Sequence, residues 1–493
     1  MSFKNSLLSI IILFLISNCS NNSQELSIDY EQYTLDNGLK VILHKDNSDP
    51  LVAISTIVHV GSNREKPGKT GFAHFFEHMA FTASENTPRG ANRLLIPTWG
   101  GSRNGGTSFD YTIYYEVVPK DALEKLMWID SDRLGFMINT VDAETLEGEI
   151  QVVKNEKRQR VDNQPYGHSS GIIQKALYPE GHPYSWSVIG ELEDLQAATI
   201  DDVKEFYNEF YGPSNATVVI AGDIEFDETK KLVERWFGEI KPNANTIEKP
   251  QVQLVTLSEN KRLYHLDKYA QLPQLSITFP TVEQFSTDSY ALNTLGELLS
   301  DGRNSVFYKE IIENQKLAPS ASAYNYSSEI AGQFGMSVRA NPNTPLDKVY
   351  DAIMQSLENF EENGVSDKDL KRIKAGQETA FYNSISTNLS KARQLGFYNE
   401  YAGDPGFVSK DIENILAVTK EDIMRVYNQY IKNQNAVILS IVPQSQSELI
   451  LTGSTEAYIK EEQVVRGKEK QFDMKYGQEN KPFVKTETKY DRS

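Results

Sequence analysis

The chain repeats itself. The segment LQAATIDDVKEFYNEFYGPSNATVVIAGD, starting at Leu195, returns as ILAVTKEDIMRVYNQYIKNQNAVILSIVP from Ile415. At an offset of 220 positions Thr199 meets Thr419, Asp202 meets Asp422, Tyr207-Asn208 meets Tyr427-Asn428, and Asn215-Ala216 meets Asn435-Ala436. In each copy a Thr with Asp three residues on caps an amphipathic helix that leads into a β-branched strand. A looser repeat precedes it: LEKLMWIDSDRLGFMINTVDAETLEGEIQVVKNEKRQR and LDKVYDAIMQSLENFEENGVSDKDLKRIKAGQETAF both read as helix, turn, helix. Internal repetition at this scale means one structural unit used twice.

A chain of 493 residues also exceeds the roughly 250–300 residues that one hydrophobic core organises. The expected division is a leader over 1–18, a tether over 19–29, a first domain over 30–241, a linker over 242–253, a second homologous domain over 254–445, and a polar tail over 446–493. Strand-like runs such as GLKVILHK, AISTIVHVG, ATVVIAGD and QLSITFP alternate with long helices, and some consecutive strands have no helix between them. The fold class is therefore α+β, each domain an antiparallel sheet faced by helices. The tail reads as disordered, with a partner-binding strap as the other reading. The formal charge of −18 argues against a nucleic-acid partner, since phosphate contacts need clustered Lys and Arg.

The N-terminus differs in kind. Lys4 precedes the apolar run from Leu7 to Ile16, too short to span a bilayer and typical of a secretory signal. Cys19, the single cysteine of the chain, follows directly. Its placement resembles a bacterial lipoprotein signal, in which cleavage exposes the Cys for acylation. We therefore expect an exported protein in the periplasm or at an outer membrane, held to the membrane only through a lipid anchor. With one Cys no internal disulfide can form.

Chemistry concentrates in TGFAHFFEHMAF. On a helix, His74 and His78 lie four apart on one face and can present two imidazoles to one ion, with Glu77 beside them. Two His and a Glu among Phe72, Phe75, Phe76, Met79 and Phe81 would be costly to bury without a charged partner. A catalytic site needs a third protein ligand and a position left for water. The acidic helix from Glu144 offers Glu144, Glu147, Glu149 and Glu156, with Glu149 and Glu156 two turns apart on one side.

The His-x-x-Glu-His order is the inverzincin signature. Together with GSNREKPGKTG, WGGSRNGGTSFDYTIYYEVVP, DSDRLGF, VVKNEKRQRVDNQPYG and GHPYSWSVIGELEDL, it resembles the pitrilysin/insulinase family of zinc metallopeptidases, in particular its short bacterial and mitochondrial-processing-type members. The resemblance covers about residues 30 to 445. It implies the mitochondrial-processing-peptidase-like fold, one Zn2+ per chain held by His74, His78 and Glu156, Glu77 as general base, and Glu149 as a residue orienting a ligand His. It also places Asn104, with its neighbours Gly105 and Gly106, beside the backbone of a peptide substrate added along a strand edge.

The second copy lacks this chemistry. At the same offset Thr294, Glu297 and Leu298 stand where His74, Glu77 and His78 do, and Ala380 lies near the place of Glu156. Self-sufficient family members carry an Arg and a Tyr in their non-zinc half that hold the substrate carbonyl; here Ile312 and Pro319 occupy those places, and the remaining pair at that spacing, Arg262 and Tyr269, lies outside the context. The resemblance therefore implies a zinc-dependent endopeptidase of peptides or unfolded segments, the zinc subunit of a heterodimer whose second subunit supplies the Arg/Tyr pair. The alternatives are a catalytically silent zinc-binding scaffold of the same fold and an interaction module whose zinc is closed off by a fourth protein ligand.

Overall fold

Each copy of the repeat builds one six-stranded sheet, and both sheets share one strand order. The computed structural model describes residues 26–243, 247–459 and 485–492; the apolar leader, Cys19 and much of the tail lie outside the described residues. The first sheet holds β1 (Glu31–Thr34), β2 (Lys40–Lys45), β3 (Leu51–Val58), β4 (Ser102–Thr107), β5 (Thr112–Pro119) and β6 (Ala216–Gly222), in the order β1-β2-β6-β3-β5-β4. The second holds β7 (Lys261–Asp267), β8 (Gln274–Thr281), β9 (Ser320–Ser327), β10 (Gly332–Arg339), β11 (Val437–Pro443) and β12 (Thr455–Glu456), in the order β12-β7-β11-β8-β10-β9. Only the outer strand differs, being drawn from before the sheet in one half and from after it in the other.

Most neighbours pair antiparallel, as expected, but β2 with β6, β7 with β11 and β12 with β7 pair parallel. The reason is connectivity: β6 and β11 return only after long helical excursions, and crossovers of that length permit parallel pairing.

The first half carries α1 (Phe72–Ala80), α2 (Ala91–Thr98), α3 (Leu123–Phe136), α4 (Ala143–Lys157), α5 (Ser169–Leu177), α6 (Leu192–Ala197), α7 (Ile200–Phe210) and α8 (Phe226–Phe237). The second carries α9 (Thr287–Ser300), α10 (Leu346–Asn363), α11 (Asp367–Ser384), α12 (Asn388–Phe397), α13 (Val408–Ala417) and α14 (Lys420–Tyr430). Strand side chains alternate between the two faces. Val52, Ile54 and Val58 of β3 join Phe76, Met127 and Phe206 in the core of the first half. Ala53, with Ile42, Val219 and Ala221, faces the other way and meets Ala392, Leu395 and Tyr398 from the second half.

The exchange is reciprocal. Helix α5 packs Ile172, Ile173 and Leu177 against Val437, Leu439 and Ile441 of β11, while α12, which begins 219 positions later, covers β3 and β6. Gly396 lets α12 sit this close, since a Cβ there would come 2.6 Å from Ile57 Cδ1. Each half thus covers the back of the other's sheet, and each buried aliphatic side chain at these contacts contributes on the order of 1.5–3 kcal/mol.

Polar groups meet where the halves join. The turn between β4 and β5 brings Asp110, which accepts from Tyr184 Oη at 2.5 Å and from the Glu329 backbone N–H at 3.0 Å. His59 Nε2 lies 2.8 Å from Glu329, and its Nδ1 lies 3.4 Å from Glu400.

Two expectations about chain ends need correction. Residues 26–29 are not free tether, because Ile28 is buried in the cluster that holds Ala392 and Leu395 of α12. Nor is the whole tail disordered. It contributes β12 at Thr455–Glu456 to the second sheet, and residues 485–492 return to the first half. There Thr486 donates to Glu85 through its backbone N–H at 2.6 Å, and Arg492, almost fully buried, donates from Nε to Glu239 at 2.6 Å and lies 4.6 Å from the Phe136 ring centroid. A cation satisfied by carboxylates and stacked on aromatics anchors a chain end that polarity alone suggested was loose.

Candidate metal centre and peptide cleft

Helix α1 owes its placement to a buried glutamate. Glu65 accepts from the backbone N–H of Gly71 and of Ala73, both at 2.9 Å, and so satisfies donors that a helix start leaves open. Gly71 itself is left-handed, with φ 87°, and a Cβ there would lie 2.7 Å from Ile189 O. The helix then turns Phe72, Phe75, Phe76 and Met79 into the core. His74, Glu77 and His78 line the cleft on its other side.

Helix α4 crosses nearby, capped by Asp142, whose side chain accepts from Thr145 N at 2.8 Å. Glu156 stands at its end, just before the chain widens into a π-helical turn over Arg158–Asp162. Such turns often mark functional sites. Glu156 Oε2 lies 3.5 Å from His74 Nε2 and 2.8 Å from His78 Nε2. Its other oxygen pairs with Arg160 Nη1 at 2.8 Å. Among the described residues this is the one group of three or more His, Cys, Asp or Glu whose ligand atoms all lie within 4.8 Å of one another.

The donor set fits zinc. Two imidazole nitrogens and one carboxylate oxygen are borderline donors of the kind zinc takes, and a tetrahedron of such ligands has edges of roughly 3.3 Å, near the His74 to Glu156 separation. Burial, aided by the neighbouring His78, pushes His74 down to about 4, so that its ring is neutral near pH 7, the form that ligates. Burial opposes charge on His78 as well, but Glu156 outweighs it and raises this ring. The hydrogen bond from His78 in turn lowers Glu156 against the effect of burial.

Glu77 is on the same helix face, and its carboxyl is raised by burial, against a hydrogen bond from Thr107 Oγ1 at 2.8 Å. Glu149 is buried about two turns earlier on α4. Its carboxylate accepts from Thr82 Oγ1 at 3.0 Å and pairs with Arg89 Nη2 at 3.3 Å, rather than bonding an imidazole. The link to the centre runs through Thr82, which also donates to His78 O at 3.2 Å.

Among the described residues strand β4 forms a free edge of the first sheet beside these groups. Asn104, Gly105, Gly106 and Thr107 line the same cleft of about 750 Å3 as His74, Glu77, His78 and Glu156. Gly105 is required by Phe81, whose ring would lie 2.8 Å from an added Cβ, whereas Gly106 opens onto empty space. Val188 and Ile189 close the far side. Thr107, Thr82, Arg89 and Glu65 escaped the sequence reading, because Thr and Arg are common and nothing in their spacing marks them.

In the second half, α9 places Thr294 and Glu297 beside Gln377, whose Nε2 donates to Glu297 at 3.0 Å and to Thr294 at 3.3 Å. Ala380 lines the same hollow. An amide thus fills the geometric counterpart of the metal centre. Ile312 packs at the second core, and Arg262 and Tyr269 are engaged elsewhere, the first over the Tyr350 ring and the second with Asn163 at 3.0 Å.

The chain matches the family described as Insulinase (Peptidase family M16) over residues 40–181, and that described as Peptidase M16 inactive domain over residues 197–377. The protein named zinc protease PqqE of Helicobacter pylori is 27% identical over 447 residues, covering 88% of this chain and 97% of that protein. The crystal structure of a protease from Helicobacter pylori is similar with a TM-score of 0.79 at 25% identity, over 85% of this chain and 100% of that one. That of the periplasmic protease PqqL from Escherichia coli is similar with a TM-score of 0.69 at 20% identity, over 87% of this chain and 49% of that one.

Proposed function

The chain belongs to the insulinase family of peptidases, family M16, and from that premise we propose that it is a zinc-dependent endopeptidase acting on peptides or unfolded polypeptide segments. The observation that carries this reading is the convergence of His74, His78 and Glu156 in an open cleft beside Glu77 and a free strand edge. A closed structural site would bring a fourth protein ligand, and among the described residues none joins the group.

The residues divide the work. His74, His78 and Glu156 would hold one zinc ion, which when bound supplies Lewis acidity that polarises a peptide carbonyl and makes water nucleophilic near pH 7. The β4 edge binds the peptide by main-chain hydrogen bonds, leaving alternate side chains to pockets. Glu77 takes the proton of the attacking water and delivers it to the leaving amine. Thr107 fixes the rotamer of Glu77 for that transfer. Glu149, through Thr82, steadies the helix end that carries His78.

The test is zinc content and peptide cleavage of wild type beside Glu77→Gln. Wild type with zinc and cleavage, and a variant with zinc and none, support the reading. Zinc without cleavage in both, with the second subunit added as well as without it, assigns the chain a silent scaffold role.

The reading includes a second subunit. It is supported by Ile312 and Pro319 standing where self-sufficient members carry Arg and Tyr; full activity of the purified chain alone would exclude it. Export and acylation at Cys19 complete the proposal, resting on the apolar leader and the sole cysteine behind it. Mass analysis of the mature N-terminus tests that part.

A further inference from the structure

Beyond the metal position, the cleft continues into a second pocket of about 250 Å3 that shares Glu77, His78, Asn104 and Val152 with it. Its distinctive residues are three arginines: Arg89 from the loop before α2, Arg93 on α2, and Arg103 on β4. Two carboxylates are present: Glu149 pairs within the pocket with Arg89 and accepts from Thr82, and Glu77 accepts from Thr107 on the metal side. Three guanidiniums against two carboxylates leave the lining with one more cation than anion, and Arg93 among them is exposed to solvent.

The frame around these arginines is built. Asp132 accepts from Asn86 N at 2.9 Å, Asn86 Nδ2 at 2.7 Å and Ser84 Oγ, and so fixes the loop that delivers Arg89. The Arg103 guanidinium lies 4.8 Å from the Phe81 ring centroid, with Arg133 on that ring too at 5.6 Å. Planar guanidiniums held this way suit a carboxylate.

A peptide laid antiparallel to β4, the more stable pairing, runs its C-terminal side toward Ser102 and Arg103. We infer that the arginine-lined pocket selects substrates with an acidic side chain, Asp or Glu, at the residue following the cleaved bond. This inference rests on the peptidase reading. The selection is local: the net charge of −18 disfavours anionic peptides at long range, so the preferred substrate is a neutral or basic segment with a single acid at this position.

Peptides identical but for Glu, Gln, Leu or Lys after the cleaved bond test it with the zinc-loaded full chain. We expect kcat/KM for Glu to exceed that for Lys by about tenfold or more, mostly through KM. Arg93→Glu and Arg103→Gln, checked for native circular dichroism, should shrink the ratio to about threefold or less, and Arg93→Lys should keep most of it. A ratio of one or below in wild type, or an undiminished ratio in both variants, overturns the inference. If wild type alone cleaves no peptide, whether for want of the second subunit or because the peptidase reading fails, binding of fluorescein-labelled Glu and Lys peptides still decides: about tenfold tighter binding of the Glu peptide supports the pocket, and equal binding overturns it.

Discussion

His59 in the first half and Glu329 in the second meet at 2.8 Å, and Glu400 stands 3.4 Å from the other nitrogen of the same ring. Burial would discharge His59, but the two carboxylates raise it above 6.5. Burial likewise opposes charge on Glu400, yet His59, Lys40 and Thr217 hold it down to about 2 from 4.5. The Glu400 contribution is present above pH 4.5 and is lost as pH falls toward 2; the His59 contribution is full below pH 6.5 and is lost as pH rises through its raised value. The stability difference between wild type and His59→Gln should therefore be largest between those limits. Urea unfolding at acid, mildly acid and alkaline pH measures it, and a difference independent of pH would refute the assignment.

Replacing Glu156 with Gln removes the carboxylate that both imidazoles approach. Bound zinc in the purified protein, read by elemental analysis, should fall by about tenfold or more, since ligand loss weakens both charge and geometry.

Thr107→Val keeps the shape of the strand and deletes the hydrogen bond to Glu77. A bond to a charged group is worth about 1.5–3 kcal/mol, so kcat should fall by about ten- to a hundredfold with KM little changed. A change confined to KM would mean that Thr107 serves binding instead.

Arg492→Ala strands Glu239, and leaves Asp132, 3.8 Å away, without this cation. Removing one partner of a buried pair costs about 3–5 kcal/mol. A matching loss in urea unfolding is expected; a loss below about 0.5 kcal/mol, the usual range for surface changes, would show that the C-terminal segment is not anchored in solution.

Gly396→Val would drive a Cβ toward Ile57 and Val219. Overpacking of this kind costs about 1–3 kcal/mol. The exposure should fall on the exchanged helix, so limited proteolysis near α12 should accelerate along with the loss of stability.

Much of this molecule could be read from residue order because duplication writes the same pattern twice. Thr199 and Thr419 cap equivalent helices, each through a capping box with Asp202 or Asp422. The spacing of His74 and His78 carried their side of the metal centre for a similar reason, since helical geometry is local. The exchange of α5 and α12 was not legible: an apolar face announces that it will be buried, and says nothing of which sheet will bury it. Parallel pairing of β2 with β6 was hidden the same way, being decided by a connection rather than by either strand. The docking of Arg492 was missed because a charged tail looks solvated until its carboxylate partners, distant in sequence, are brought to it. Glu149 was expected to orient a ligand His; it is joined to the His78 backbone through Thr82 and pairs with Arg89, and no spacing in the sequence announced either contact.

The exchanged helices explain why a half with no cluster of metal ligands among its described residues persists. A duplicated unit without that group is ordinarily free to erode, but here its α12 is the rear wall of the sheet beside which His74, His78 and Glu156 converge. Selection on the activity proposed for one half would therefore reach the apolar residues of the other, and a gene trimmed to the first half would encode a protein with an open back.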